Sequence, residues 1–191
     1  MSYISTIKVR PQKTALRITL AALFAALIAG GTFISIPLPF SPVPIVLQNL
    51  FIVLAGLVLG PALGGAAAAL YLAAGALGFP VFAGAAGGIA RFAGPTGGFL
   101  VGYLLAALTA GCIAGRPRAA ISFPRLLLAA AAGFLVVYIP GVAWLARFFE
   151  NWPKALAAGF FPFIIGDVIK IGIAVTAAGR LRRAAAEKLG G

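Results

Sequence analysis

Apolar residues run through this chain in long unbroken blocks, without the one-face stripes or strict alternation of a soluble domain. A helix that crosses a bilayer needs about 20 mostly apolar residues, and that ruler picks out six segments. They run roughly from Leu16 to Ile36, Ile45 to Gly60, Ala62 to Phe79, Gly98 to Gly115, Leu126 to Leu145 and Pro162 to Arg180. The second is short, and only the stretch GPALGG separates it from the third. Pro162 either opens the last helix, at the position where proline is tolerated, or kinks a longer one that starts near Lys154.

Two apolar stretches do not fit as spans. PLPFSPVP (37–44) has four prolines in eight residues and is excluded from helix. PVFAGAAGGIARFAGPTGG (80–98) is broken throughout by glycine. Irregular segments that avoid water pack back onto protein, so the two are expected either to fill space between helices or to wall a ligand pocket.

Composition supports the membrane reading. The chain has 191 residues, 62% of them apolar and 9% charged, against about 25% charged in soluble domains. The net charge of +12 does not indicate nucleic acid, because the basic residues sit at the edges of apolar blocks and form no stripe along a polar face. Their placement sets the orientation. With a cytoplasmic N-terminus, Lys8, Arg10, Lys13, Arg17, Arg116, Arg118, Arg125, Arg180, Arg182, Arg183 and Lys188 all fall inside. Only Arg91, Arg147 and Lys154 fall outside, and Lys170 lies within the membrane. The expectation is an all-α integral membrane protein of one domain, 1–191, with six transmembrane helices, both termini cytoplasmic and irregular apolar outer loops. Residues 1–13 and 181–191 are read as cytoplasmic end segments, and the first apolar run as an anchor.

Catalytic chemistry finds little material. There is no histidine, Cys112 is the one cysteine, and Asp and Glu total three. That removes zinc clusters, Cys-His dyads and Ser-His-Asp triads. GPTGG (94–98) lacks the lysine of a phosphate loop. The expectation is a protein that is not an enzyme and carries no metal or cofactor.

The polar exceptions inside the spans therefore stand out. Asp167 and Lys170, in FIIGDVIK, are the only charged residues between Ala155 and Gly179. A charge at a helix centre costs about 2.5–3.5 kcal/mol on insertion scales. Their i, i+3 spacing places them on one face, where they either pair with each other or flank a polar ligand, the aspartate accepting from N–H groups and the lysine facing an anion. Gln48, Tyr71 and Arg91 complete a sketch of a few polar groups in an apolar wall, the usual form of a small-molecule site. Each has a plainer reading, as a helix-start cap, an interface phenol and a rim charge respectively. On the first helix, Ala21, Ala25 and Ala29, and Ala22, Ala26 and Gly30, recur every four residues. This spacing allows close helix approach, within the chain or to a partner.

ISIPLPFSPVPIVLQNLFIVLAGLVLGPALG (34–64), YLAAGALGFPVFAGAAGGIARFAGPTGGFLVGY (71–103) and GDVIK (166–170), in that order, resemble the BioY family. These are biotin-specific substrate-binding (S) components of energy-coupling-factor (ECF) vitamin transporters. The resemblance implies a multi-pass protein of the prokaryotic plasma membrane that captures biotin from outside. It implies as partners a transmembrane T component and ATP-binding-cassette ATPases, and a first-helix face of Ala21, Ala22, Ala25, Ala26 and Ala29 that docks the T component. It places Asp167 and Lys170 in the biotin site. Two positions depart from the family pattern: Ala86, where some members carry an arginine, and Val46, where threonine is frequent. An S component for another vitamin and a non-transport assembly subunit are the competing readings.

Overall fold

The computed structural model describes residues 11–117 and 121–189. Lys8, Arg10 and Arg118 of the orientation argument lie outside the described residues, as does the side chain of Lys13. In chain order the elements are α1 (Pro11–Thr32), β1 (Ser35–Leu38), β2 (Ser41–Val46), α2 (Gln48–Ala76), α3 (Ala90–Ala93), α4 (Gly97–Ala114), α5 (Phe123–Val136), α6 (Tyr138–Phe149), α7 (Trp152–Gly159), a 3-10 turn (Phe161–Phe163) and α8 (Ile164–Leu189).

The second and third expected spans are the two arms of α2. Gly60 interrupts the helix at φ 78°, ψ −179°, a backbone region that essentially only glycine occupies, and Pro61 follows it. The arms fold back on each other. A Cβ added at Gly64 would lie 2.7 Å from the Cα of Gly56, whereas eight residues of straight helix separate two positions by about 12 Å. The short arm, 48–59, is buried on nearly every side, so it has no need to match the bilayer thickness. Its other face receives α4: a Cβ at Gly56 would collide with the Ala107 carbonyl. The remaining segments, α1, α4, 123–149 and α8, are long and apolar enough to cross a membrane, and with the two arms of α2 they make the six expected passes. Leu23, Leu27, Leu105, Leu128, Ile169 and Ile173 project from the outside of the bundle, which water would penalise and acyl chains do not.

The proline-rich stretch is no helix, as expected, but it is not irregular. β1 and β2 form an antiparallel hairpin with a bulge between Ile36 and Leu38, and a two-stranded ribbon has open edges where prolines are tolerated. The hairpin sits over the start of the short arm and is pinned at its tip, where the Ser41 hydroxyl donates to the Ala158 carbonyl of α7 at 2.7 Å. The glycine-rich loop is held by Trp144 Nε1, which donates to the Gly94 carbonyl at 2.9 Å. The last helix extends past the expected end of the sixth span at Arg180. Residues 181–189 continue α8, which runs unbroken to Leu189, and Arg182 is buried in the bundle.

Candidate functional site

Because the short arm of α2 starts only at Gln48, space is left between it, the hairpin and the glycine-rich loop. A cavity of about 280 Å³ fills it. Its wall is mostly apolar, with Val43, Val46, Phe82, Phe99 and Leu100; its polar groups include Gln48, Arg91, Thr96 and Tyr103. Of the residues picked out in the sequence, Gln48 and Arg91 line this cavity directly. Arg91 lies at an exposed position on its rim.

Tyr71 and Lys170 stand one residue back from the wall, and Asp167 stands behind Lys170. Gln48 Nε2 donates to the Tyr71 hydroxyl at 2.8 Å, and the Thr32 hydroxyl donates to Gln48 Oε1 at 3.2 Å. Tyr71 is 1% exposed, so it is not an interface phenol, and its contact fixes the orientation of the Gln48 amide. Lys170 reaches the wall through Val46, whose carbonyl accepts from Nζ at 2.9 Å.

The acid and the base pair with each other, at 3.2 Å. They do not pair alone. Lys170 Nζ spends its three donors on the Val46 carbonyl, on Asn49 Oδ1 at 3.0 Å and on Asp167 Oδ1. Asp167 also accepts from Asn49 Nδ2 at 3.2 Å and, on its second oxygen, from the Tyr138 hydroxyl at 2.5 Å. Both charged residues are 6% exposed. A buried ion pair is tolerated only with such saturation, because the desolvation cost of each charge is several kcal/mol. The network joins four elements: β2, α2, α6 and α8.

Sequence reasoning missed Asn49 and Tyr138. Asn49 adjoins Gln48 and was readable as a second amide in the same apolar run. Tyr138 carried no local signal, since its partner lies 29 residues further on. Arg182 was also missed as a buried group, yet Asp167, Lys170, Ala174, Ala178, Arg182 and Ala185 are all buried and recur at helical spacing along one stripe.

The first-helix alanines divide. Ala21 and Ala25 are buried in the bundle core, Ala22 and Ala26 are exposed with Gly30 on the outer face, and Ala29 is half-buried between them. Ala21 and Ala25 are therefore taken up by internal packing, and the open small-residue face consists of Ala22, Ala26 and Gly30.

A saturated acid–base pair behind a mostly apolar cavity, inside a bundle of membrane-length helices, belongs to the class of membrane-embedded small-molecule binding proteins. Comparison with known proteins narrows the class. The BioY family matches over residues 6–187. A probable biotin transporter BioY from Pyrococcus horikoshii is 44% identical over 165 residues, 86% of this chain and 95% of that one. The biotin transporter BioY of Thermotoga maritima is 40% identical over 168 residues, 88% and 96% of the two chains. A 2.1 Å crystal structure of the S component for biotin from an ECF-type ABC transporter superposes with a TM-score of 0.82 at 31% identity, covering 92% of this chain and 94% of that one. The chain belongs to the BioY family, a family of membrane transporter components.

Proposed function

We propose that the chain is the biotin-capturing S component of an ECF-type uptake transporter in a prokaryotic plasma membrane. It works with a T component and ATP-binding-cassette ATPases and catalyses no reaction itself. The observation that carries this reading is the Asp167–Lys170–Asn49–Tyr138 network behind the hairpin-covered cavity, in a chain of this family. Biotin has a ureido ring with two N–H donors at one end and a carboxylate at the other. Asp167 and Lys170 lie 3.2 Å apart, so they meet the same end of the ligand: Asp167 is the acceptor for the ureido N–H groups, and Lys170 donates to the ureido carbonyl. To reach biotin, Nζ exchanges the Val46 carbonyl for the ligand, so binding and hairpin position are linked. Arg91, which lines the cavity at its rim, is the cation for the carboxylate at the other end; Ala86 is buried and offers no such group.

The described basic side chains favour cytoplasmic termini. Arg17, Arg116, Arg125, Arg180 and Arg183 line clefts at the end away from the hairpin, whereas Arg91 lines the cavity at the hairpin end. The T component docks on the outer face of α1 that carries Ala22 and Ala26, with Ala29 at its edge.

The test is a binding panel on the purified protein in nanodiscs. Biotin is expected to bind saturably, while thiamine, riboflavin and folate do not compete. Competition by another vitamin at lower concentration than biotin would reassign the ligand. The absence of binding to every vitamin would favour an assembly subunit.

A further inference from the structure

At the end opposite the hairpin, two neighbouring features have complementary chemistry. One is a cavity of about 300 Å³ lined by Arg116, Arg125, Arg182 and Ser122. The other is a groove of about 1080 Å³ between α5 and α8, walled by Phe123, Leu126 and Val175 with Arg180 and Arg183 at its mouth. Ile121 lines both, so they adjoin.

Arg182 is 1% exposed and is the deepest of the three arginines in the cavity. Its terminal nitrogens donate to the carbonyls of Leu57, Ala114, Gly115 and Arg116, but its buried Nε has no partner. Arg125 commits its Nε to the Ile113 carbonyl at 2.7 Å. Among the described residues the one ion pair is Lys170–Asp167, so none of these arginines is neutralised by a carboxylate. Glu187 lines the adjoining groove and not the cavity.

We propose that this is a binding site for an anionic phospholipid, with its phosphate in the Arg116–Arg125–Arg182 cavity and an acyl chain in the α5/α8 groove. The cavity alone would suit any phosphate. The groove that opens from it has an apolar wall of Ile121, Phe123, Leu126 and Val175 beside the polar Thr176, Arg180, Arg183 and Glu187. That wall selects an anion with a hydrocarbon tail, and basic pockets between membrane helices bind anionic head groups in this way. Ser122 offers a hydroxyl to the phosphate, and Arg116 and Arg125, both exposed, close over it from the rim.

The probe is phosphatidylglycerol titrated against delipidated protein, with bound lipid counted by native mass spectrometry and phosphatidylcholine as the neutral comparison. Each rim arginine is worth a factor of about five in anionic-lipid affinity. Arg125→Gln is therefore expected to weaken phosphatidylglycerol about fivefold and Arg116→Gln/Arg125→Gln about thirtyfold, with phosphatidylcholine unchanged. Arg147→Gln, at the other end, should leave the preference intact, and inorganic phosphate should not displace the lipid. Equal binding of the two lipids, wild-type preference in the double variant, an equal loss in Arg147→Gln, or displacement by inorganic phosphate would each overturn the proposal. Should the double variant fail to fold, the Arg125→Gln arm decides alone.

Discussion

Helix α8 carries two buried cations, Lys170 and Arg182, about 18 Å apart along its axis, and they are held in opposite ways. Lys170 is bound by two side-chain oxygens and a single carbonyl, that of Val46 at the base of the hairpin. Arg182 is bound by main-chain carbonyls alone, where the short arm of α2 and the end of α4 converge. Side-chain partners can rotate away and be replaced by a ligand. Helix-end carbonyls are fixed by the helices that carry them, and a cation among them complements both macrodipoles. The two ends of one helix thus separate exchange from fastening: Lys170 sits in a network that a ligand can enter, and Arg182 bolts three helices together.

Substitution can break that contrast. Arg182→Met strips four carbonyls of their donor. It is expected to cost about 3 kcal/mol of stability, a Tm lower by about 6–12 °C, with biotin affinity changed less than about threefold. Thermal unfolding and biotin titration of the same sample read both numbers, and a large loss of affinity at unchanged Tm would reverse the assignment. Lys170→Met strands the buried Asp167 carboxylate and so lowers Tm as well, but it differs from Arg182→Met in a large loss of biotin affinity. Hydrogen bonds to a charged group are worth about 1.5–3 kcal/mol, so biotin affinity should fall about 10- to 100-fold. Tyr138→Phe removes one donor to Asp167 and is expected to weaken biotin about fivefold to tenfold, leaving the fold intact. The smallest effect belongs to the hairpin latch: Ser41→Ala frees the tip from Ala158 at about 1 kcal/mol or less. It should speed biotin entry and exit alike in stopped-flow traces; unchanged rates would mean that the hairpin does not move for the ligand.

Much of this contrast was visible in the sequence, and what was not has physical causes. The six passes were legible because bilayer thickness sets block length, and GPALGG marked the reversal that Gly60 and Pro61 make. Asp167 and Lys170 were legible because a charge in an apolar block demands a reason. The hairpin was not, since its prolines exclude helix without specifying strand, and its pairing depends on lying over the end of α2. Arg182 was misplaced because RLRR (180–183) resembles a positive membrane edge. Its depth follows from helix phase, which turns residue 182 inward and leaves 180, 181 and 183 outward or at the surface. The alanines of α1 show the same limit: spacing identified two small-residue faces, and only packing decides which one is spent inside.

The central claim is that the Asp167–Lys170 network is where biotin is gripped. Calorimetric titration of biotin into the purified protein in nanodiscs, wild type beside Asp167→Asn/Lys170→Met, tests it most directly. The double substitution replaces the ion pair without stranding a charge, so the fold should survive it. The expected result is saturable one-to-one binding to the wild type and an affinity at least about 100-fold lower in a double variant of near-normal Tm. Wild-type affinity in that folded double variant would contradict the account.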